Sequence, residues 1–131
     1  MTKDELMQVF YLNKEITAWK DELERIKNIS VPSAMRFGTK SNGKIADKVA
    51  DTVLSIAQTE QKIRKKLVEL ECARDRITNY ILDIDDCQTR LIFKLRCLDL
   101  LNWNDVADEV GGMNSEYSVK KRFYRYLEKC G

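Results

Sequence analysis

The chain has 131 residues, of which 34% are charged, and its 23 Lys and Arg against 21 Asp and Glu give a formal net charge of +2. A chain of this length predicts one domain, or one small domain with an extension. Five glycines and one proline favour long helices over a sheet. A balance so close to neutral excludes a nucleic-acid surface spread over the whole chain, so any basic surface must be local.

The cysteine and histidine content argues against metal sites and most enzyme chemistry. The four cysteines (Cys72, Cys87, Cys97 and Cys130) include no CxxC pair, and histidine is absent. Zinc-ligand spacing is therefore missing, and reduced, small apolar cysteines are expected. Without histidine, a Gly-rich phosphate loop or a GxSxG elbow, we expect no enzyme, no metal and no cofactor. No signal peptide and no apolar run of about 20 residues is evident, which predicts a cytoplasmic protein without a membrane partner.

The N-terminal part of the chain predicts a long helix over residues 2–29. Thr2 and Glu5 have the spacing of a capping box at its start. Apolar residues then recur at alternating steps of three and four, which is the spacing of a heptad seam. The seam residues are Val9, Leu12, Ile16, Trp19, Leu23 and Ile26.

A loop over residues 30–44 and a second long helix over residues 45–83 follow. The loop prediction rests on Pro32, two glycines, three basic residues and the absence of acids. The second helix carries its own seam: Ala46, Val49, Val53, Ile56, Glu60, Ile63, Leu67, Leu70, Arg74, Ile77, Ile81 and Ile84. The polar seam residues Glu60 and Arg74 either meet solvent beyond the first helix or specify the register. The two helices should fold back as an antiparallel, coiled-coil-like hairpin over residues 1–84.

Residues 85–131 predict three shorter helices, at about 86–99, 103–110 and 115–129. Asn102 is a suitable N-cap for the middle helix, and Gly111 has the position of a helix-ending glycine. Asn114 and Ser115 are alternative caps for the last helix. The whole chain is therefore predicted to be all-α, a helical hairpin followed by a three-helix helix-turn-helix unit.

The last helix concentrates positive charge. Residues 115–131 contain five basic and two acidic residues, whereas residues 103–110 contain three acids and no base. A helical wheel gives an inner face of Val119, Phe123, Tyr126 and Leu127, and an outer face that includes Tyr124. The asymmetry favours insertion of this helix into the major groove of double-stranded DNA, with a basic surface helix as the alternative. The predicted DNA-binding residues are Tyr117, Ser118, Lys120, Lys121, Arg122 and Arg125.

The motif "RLIFKLRCLDLLNWNDVADEVGG", followed by "SVKKRFYRYLEK", resembles the fourth conserved region of bacterial sigma factors. Across nearly the whole chain, including "DKVADTVLSIAQTEQKI", the sequence resembles small bacteriophage and prophage transcription regulators of the sigma-factor-like, autolysin-regulator type. One departure is the turn "GGMNSEYS", which is about two residues longer than is usual in that region and leaves the start of the recognition helix open.

The resemblance implies a phage-type transcription regulator that acts in the bacterial cytoplasm, binds double-stranded DNA and contacts RNA polymerase. Ser118, Lys121, Arg122 and Arg125 would then face DNA. No second sigma region is visible, so the resemblance implies an accessory regulator rather than a complete sigma factor. The residues also allow a protein-interaction module whose hairpin dimerises or grips a partner without DNA contact, and a phage structural component. A homodimer would match a palindromic site.

Overall fold

The regular secondary structure of the described chain is entirely helical, which confirms the all-α prediction. The structure, a computed structural model, describes residues 1–36 and 43–130, with side chains for residues 1–28 and 47–129. The helices are α1 (Lys3–Leu6), α2 (Gln8–Arg36), α3 (Gly43–Leu82), α4 (Cys87–Phe93), a π-helical segment (Lys94–Leu98), α5 (Trp103–Val110) and α6 (Glu116–Cys130). Within these ranges, no helix is both long enough and apolar enough to cross a membrane.

The predicted caps at the starts of α1 and α5 are confirmed. The Thr2 hydroxyl accepts a hydrogen bond from the Glu5 amide at 3.2 Å, and the Glu5 carboxylate accepts one from the Thr2 amide at 2.8 Å. The Asn102 side chain accepts from the Asp105 amide at 2.9 Å. Each cap satisfies backbone donors that the first helical turn leaves without an intrahelical partner.

The bounds of the long helices differ from the predicted ones. The first predicted helix is divided at Met7, and α2 then continues to Arg36 rather than ending near residue 29. The apolar spacing locates the seam but not the last hydrogen-bonded turn. Pro32 lies within α2, although a proline removes one backbone donor and disfavours helical dihedrals for the residue before it. Residues 37–42 of the expected loop lie outside the described residues.

The chain divides into two compact units. Unit 1 comprises residues 1–12 and 70–131, and unit 2 comprises residues 13–69. The ends of the long helices belong to unit 1 because their apolar residues, among them Leu6, Val9, Ile77 and Ile81, share one buried cluster with the C-terminal helices. Burial of that apolar surface is what stabilises the unit.

Aromatic packing forms the centre of unit 1. Phe93 of α4 is fully buried, with its ring centroid 4.5 Å from that of Phe123 and 5.3 Å from that of Tyr126. Trp103, at the start of α5, lies 5.0 Å from Phe123, again centroid to centroid. Tilted and edge-on rings at these distances attract one another beyond the effect of burial alone. The cluster therefore connects α4, α5 and α6.

In unit 2, two ion pairs join α2 to α3. Lys66 pairs with Glu15 at 3.3 Å and Lys27 pairs with Glu60 at 3.6 Å, so the partner numbers fall along α3 as they rise along α2. The predicted seam is only partly covered here. Its members Ile16 and Ile63 are buried, whereas other members remain exposed: Val49 at 41%, Val53 at 60% and Leu67 at 39%.

Both polar seam residues have partners. Glu60 pairs with Lys27 in unit 2. Arg74, in unit 1, donates a hydrogen bond to the carbonyl of Leu98 at 3.1 Å, at the end of the π-helical segment. A charged donor at that position satisfies a carbonyl that a helix C-terminus leaves unpaired.

Substitution of Phe93 should destabilise unit 1 strongly. We expect Phe93→Ala to lower the free energy of unfolding by about 3–5 kcal/mol, because it opens a cavity at the centre of the ring cluster. Leu91→Ala is the matched control, since Leu91 lies on the same helix with 41% of its surface exposed. Urea unfolding followed by circular dichroism measures the free energy of unfolding of both variants. Phe93→Leu is the milder substitution to use if Phe93→Ala does not fold. Equal losses for the Phe93 and Leu91 variants would contradict this role of Phe93.

The burial of Cys97 predicts a pH-dependent stability and a protected thiol. Burial raises the pKa of Cys97 from 9.0 to about 12, so the folded chain favours the protonated thiol. The protonated Cys97 thiol therefore contributes fully to the stability of the folded chain below pH 9.0, and this contribution is lost as the pH rises towards 12. At neutral pH, iodoacetamide followed by peptide mass spectrometry should label the exposed Cys72 and Cys87 but not Cys97. Labelling of Cys97 at the rate of Cys72 in the folded chain would overturn the prediction.

Candidate nucleic-acid interface

The inner face of α6 fixes the orientation of the helix. Val119 and Phe123 are buried, and Tyr126 and Leu127 pack against the same core as partly buried residues. These are the four residues that the helical wheel placed inward. Because they anchor one side of α6 to α4 and α5, the direction of the opposite side is fixed as well.

Tyr124 is a correction to the predicted outer face. It is half-buried, its ring centroid lies 5.3 Å from that of Phe123 and 6.2 Å from that of Trp103, and the Lys3 ammonium lies 5.2 Å from its centroid. The helical wheel missed this placement because Tyr124 lies at the edge of the inner face. A distant N-terminal residue, Lys3, contributes to its surroundings, and no local spacing signals that contact.

The turn between α5 and α6 depends on backbone conformations that favour glycine. Gly111 has φ 67° and ψ −155°, Gly112 has φ 63°, and Met113 has φ 67° with a fully exposed side chain. The first of these conformations is essentially confined to glycine. The Asn114 amide group and backbone amide both donate to the Gly111 carbonyl, at 2.8 and 3.2 Å. The lengthened turn is thereby closed by its own hydrogen bonds.

Ser115, one of the two caps left open by the sequence, caps α6. Its hydroxyl accepts from the Ser118 amide at 3.1 Å, and the Ser118 hydroxyl accepts from the Ser115 amide at 2.9 Å. Ser118 is half-buried and also lies 3.3 Å from the Asn114 side-chain oxygen. Predicted as a DNA contact, Ser118 therefore has a structural role in the cap. The first helical residue of α6 is Glu116.

Three predicted cations lie exposed on α6, and we call them the basic face: Lys120, Lys121 and Arg125. The predicted site residue Tyr117 accompanies them, 70% exposed, with the Lys121 ammonium 5.6 Å from its ring centroid. Lys129 is also exposed, further along the helix. These side chains could contact phosphates, and Tyr117 adds an exposed aromatic surface within the first turn of α6.

Arg122, the sixth predicted site residue, is directed towards α4. One of its terminal nitrogens lies 3.4 Å from a carboxylate oxygen of Asp86 and also donates a hydrogen bond to the Gln88 side-chain oxygen. Asp86 caps α4 by accepting from the Thr89 amide at 2.9 Å and from the Thr89 hydroxyl at 2.6 Å. Sequence reasoning missed Asp86 and Gln88 as partners because they precede Arg122 by more than 30 residues.

The surroundings of Asp86 lower its pKa. The hydrogen bonds from Thr89 contribute most, and the positive charges of Arg122 and Arg90 act in the same direction. Asp86 thus remains ionised at neutral pH and holds Arg122 by charge. Among the side chains that the structure describes, no three Cys, Asp or Glu residues gather as candidate metal ligands.

Asp86→Asn tests this contact through the acid side of the stability profile. Because folding lowers the pKa of Asp86, the ionised carboxylate stabilises the folded state at pH values above its unfolded pKa of 3.8. That stabilisation is lost as the pH falls through the pKa of the folded state. Asparagine caps a helix as well as aspartate does, so the cap is kept and the charge is removed. We expect the variant to be slightly less stable than wild type at neutral pH, with the difference shrinking below pH 3.8. Thermal unfolding at several pH values measures the stability difference between the variant and the wild type. Asp83→Asn, at an exposed position, is the control. A stability difference that does not change with pH would contradict the predicted role of the Asp86 charge.

Comparison with known proteins assigns no family to these residues. No protein-family model, no curated protein and no solved structure matches the chain.

Proposed function

We propose that this chain is a phage-type, sigma-factor-like transcription regulator that binds double-stranded DNA through a helix-turn-helix formed by α5 and α6. The observation that carries the proposal is the basic face: Lys121 and Arg125 lie opposite the buried anchors of α6, Lys120 flanks them, and all three are exposed. A local cationic helix on a nearly neutral chain is the charge pattern expected of a small DNA reader.

The dimensions of α6 suit the major groove. Its 15 residues extend about 22 Å, and the major groove is about 12 Å wide, enough for one helix. In a helix-turn-helix the N-terminal residues of the second helix meet base edges, while basic residues contact phosphates. Tyr117 and Lys121 would then approach base edges, and Lys120 and Arg125 would contact phosphates.

Arg122 and Ser118 would have indirect roles in this complex. Ser118 sets the start of the recognition helix through the cap with Ser115. Arg122 ties the middle of that helix to the start of α4 through Asp86 and Gln88. Both residues would hold the basic face in a fixed orientation, which matters because base contacts tolerate little displacement.

Residues 13–69 support the second part of the proposed architecture, an antiparallel helical hairpin. The opposed order of the Glu15–Lys66 and Lys27–Glu60 pairs favours that arrangement. The apolar seam residues Val49, Val53 and Leu67 are exposed, which favours contact with another protein surface, either RNA polymerase or a second copy of the chain.

A protein-interaction module without DNA contact is the alternative function, and the same exposed seam supports it. In that case the basic face would be a solvated surface. The net charge of +2 agrees with either function, because it does not depend on where the cations lie. A direct DNA-binding measurement separates the two.

Lys121→Ala combined with Arg125→Ala should weaken DNA binding and flatten its salt dependence. Each lost phosphate contact lowers the steepness of log K against log salt by roughly one, and Arg125 is the phosphate contact of this pair, so we expect a decrease of about one. Fluorescence anisotropy with a labelled random duplex, at about 50 and 200 mM salt, measures both quantities. Circular dichroism would establish that the variant remains folded.

The matched control is Lys20→Ala combined with Lys65→Ala, which removes the same charge from exposed positions on α2 and α3. This pair should leave the slope unchanged. If the wild-type chain binds no duplex at low salt, or if both double variants lose affinity equally, the basic face is not a DNA-reading surface. The interaction module would then be the better assignment.

A further inference from the structure

A second surface feature of unit 1 shares no residue with the basic face. It is a pocket of about 360 Å³, and we call it the aromatic pocket. Trp103 and Phe123 line it as buried residues, while Phe10 and Tyr124 line it as half-buried ones. Pockets that hold small ligands occupy about 300–1,000 Å³, so this one has room for a single large side chain or little more.

Two cations and one acid also line the aromatic pocket. The Arg96 guanidinium carbon lies 4.6 Å from the Trp103 ring centroid, and Arg96 donates to the Leu101 carbonyl at 2.9 Å. Lys3 lies over the Tyr124 ring at 5.2 Å, and Asp4 is the acid. The charge of the lining is therefore net positive. The planar Arg96 guanidinium stacks by its face and keeps N–H donors for an anion, and the Lys3 ammonium has three donors of which the ring contact does not use all.

The lining favours a protein side chain over a nucleobase. None of its residues is Asn, Gln, Ser or Thr, the uncharged side chains that commonly recognise base edges. Extruding a base from a duplex also costs a few kcal/mol, which a pocket with room for little more than one side chain would repay poorly. Tyr, Trp, Met and Arg are, in contrast, the residues enriched in protein interfaces, and Tyr11 at the pocket is 65% exposed.

We propose that the aromatic pocket is a docking site for an acidic segment of a partner protein. The segment sets one aromatic or large aliphatic side chain against Phe10 and Tyr11, the more exposed rings of the lining, and a neighbouring carboxylate near Lys3 and Arg96. Charge complementarity selects the acidic partner, and the aromatic rings select the inserted side chain. This site does not depend on DNA binding by the basic face.

The test uses three acetylated, amidated tripeptides and ¹⁵N NMR of the full chain. The first has phenylalanine between two glutamates, the second phenylalanine between two glutamines, and the third alanine between two glutamates. The indole signal of Trp103 reports on the pocket, and that of Trp19, in unit 2, is the internal control. We expect the first peptide to shift Trp103 saturably and leave Trp19 unchanged. The second should bind about two- to fivefold more weakly for each ion pair lost, and the third should produce no saturable shift.

Variants at the two charged residues of α1 that line the pocket test the charge argument without disturbing the core. Lys3→Gln should weaken binding of the first peptide and reduce its advantage over the second, whereas Asp4→Asn should strengthen binding. Lys20→Gln, at an exposed position on α2, is the control and should change nothing. Equal binding of the two phenylalanine peptides, or no saturable shift of Trp103, overturns the proposal. A Trp103 shift produced by a short oligothymidylate but by no peptide overturns it as well, in favour of nucleic acid.

Discussion

The ring contact between Phe93 and Phe123, at 4.5 Å between centroids, is the interaction on which the candidate site depends. Phe93 ends α4 and Phe123 lies in the middle of α6, so their contact sets the rotation of α6 about its own axis. A helix with one side fixed in this way presents its other side in one direction only. The exposure of Lys120, Lys121 and Arg125 therefore follows from the burial of two aromatic rings.

Two polar contacts refine what the aromatic rings establish. The Ser115–Ser118 cap determines where α6 begins, and the Arg122–Asp86 contact connects α6 to the start of α4. Exposed ion pairs contribute little to stability, so Arg122 matters more for orientation than for folding energy. Arg122 and Arg125 carry the same charge but have different roles. Arg125 is exposed to solvent, whereas Arg122 contacts side chains of α4.

The same core includes residues from the N-terminal helices, although these are far from the C-terminal helices in sequence. Leu6 and Val9 join the buried cluster of the C-terminal helices, and Lys3 reaches the Tyr124 ring. The aromatic pocket is a consequence, since residues from α1 and α2 complete a lining begun by Trp103 and Phe123. In unit 2, by comparison, apolar seam residues such as Val53 remain exposed, and the surface they form suits a protein partner.

The sequence by itself determined the helical class, the caps at Thr2 and Asn102, the ending of α5 at Gly111 and the inner face of α6. These features depend on neighbours within one or two helical turns, where periodicity and capping chemistry act directly. Only the tertiary structure decided the partner of Arg74, the inward placement of Tyr124, the engagement of Arg122 by Asp86 and the division into units. Those outcomes join residues that are far apart in the chain. Local spacing carries no information about such contacts, because packing of the whole buried cluster selects them.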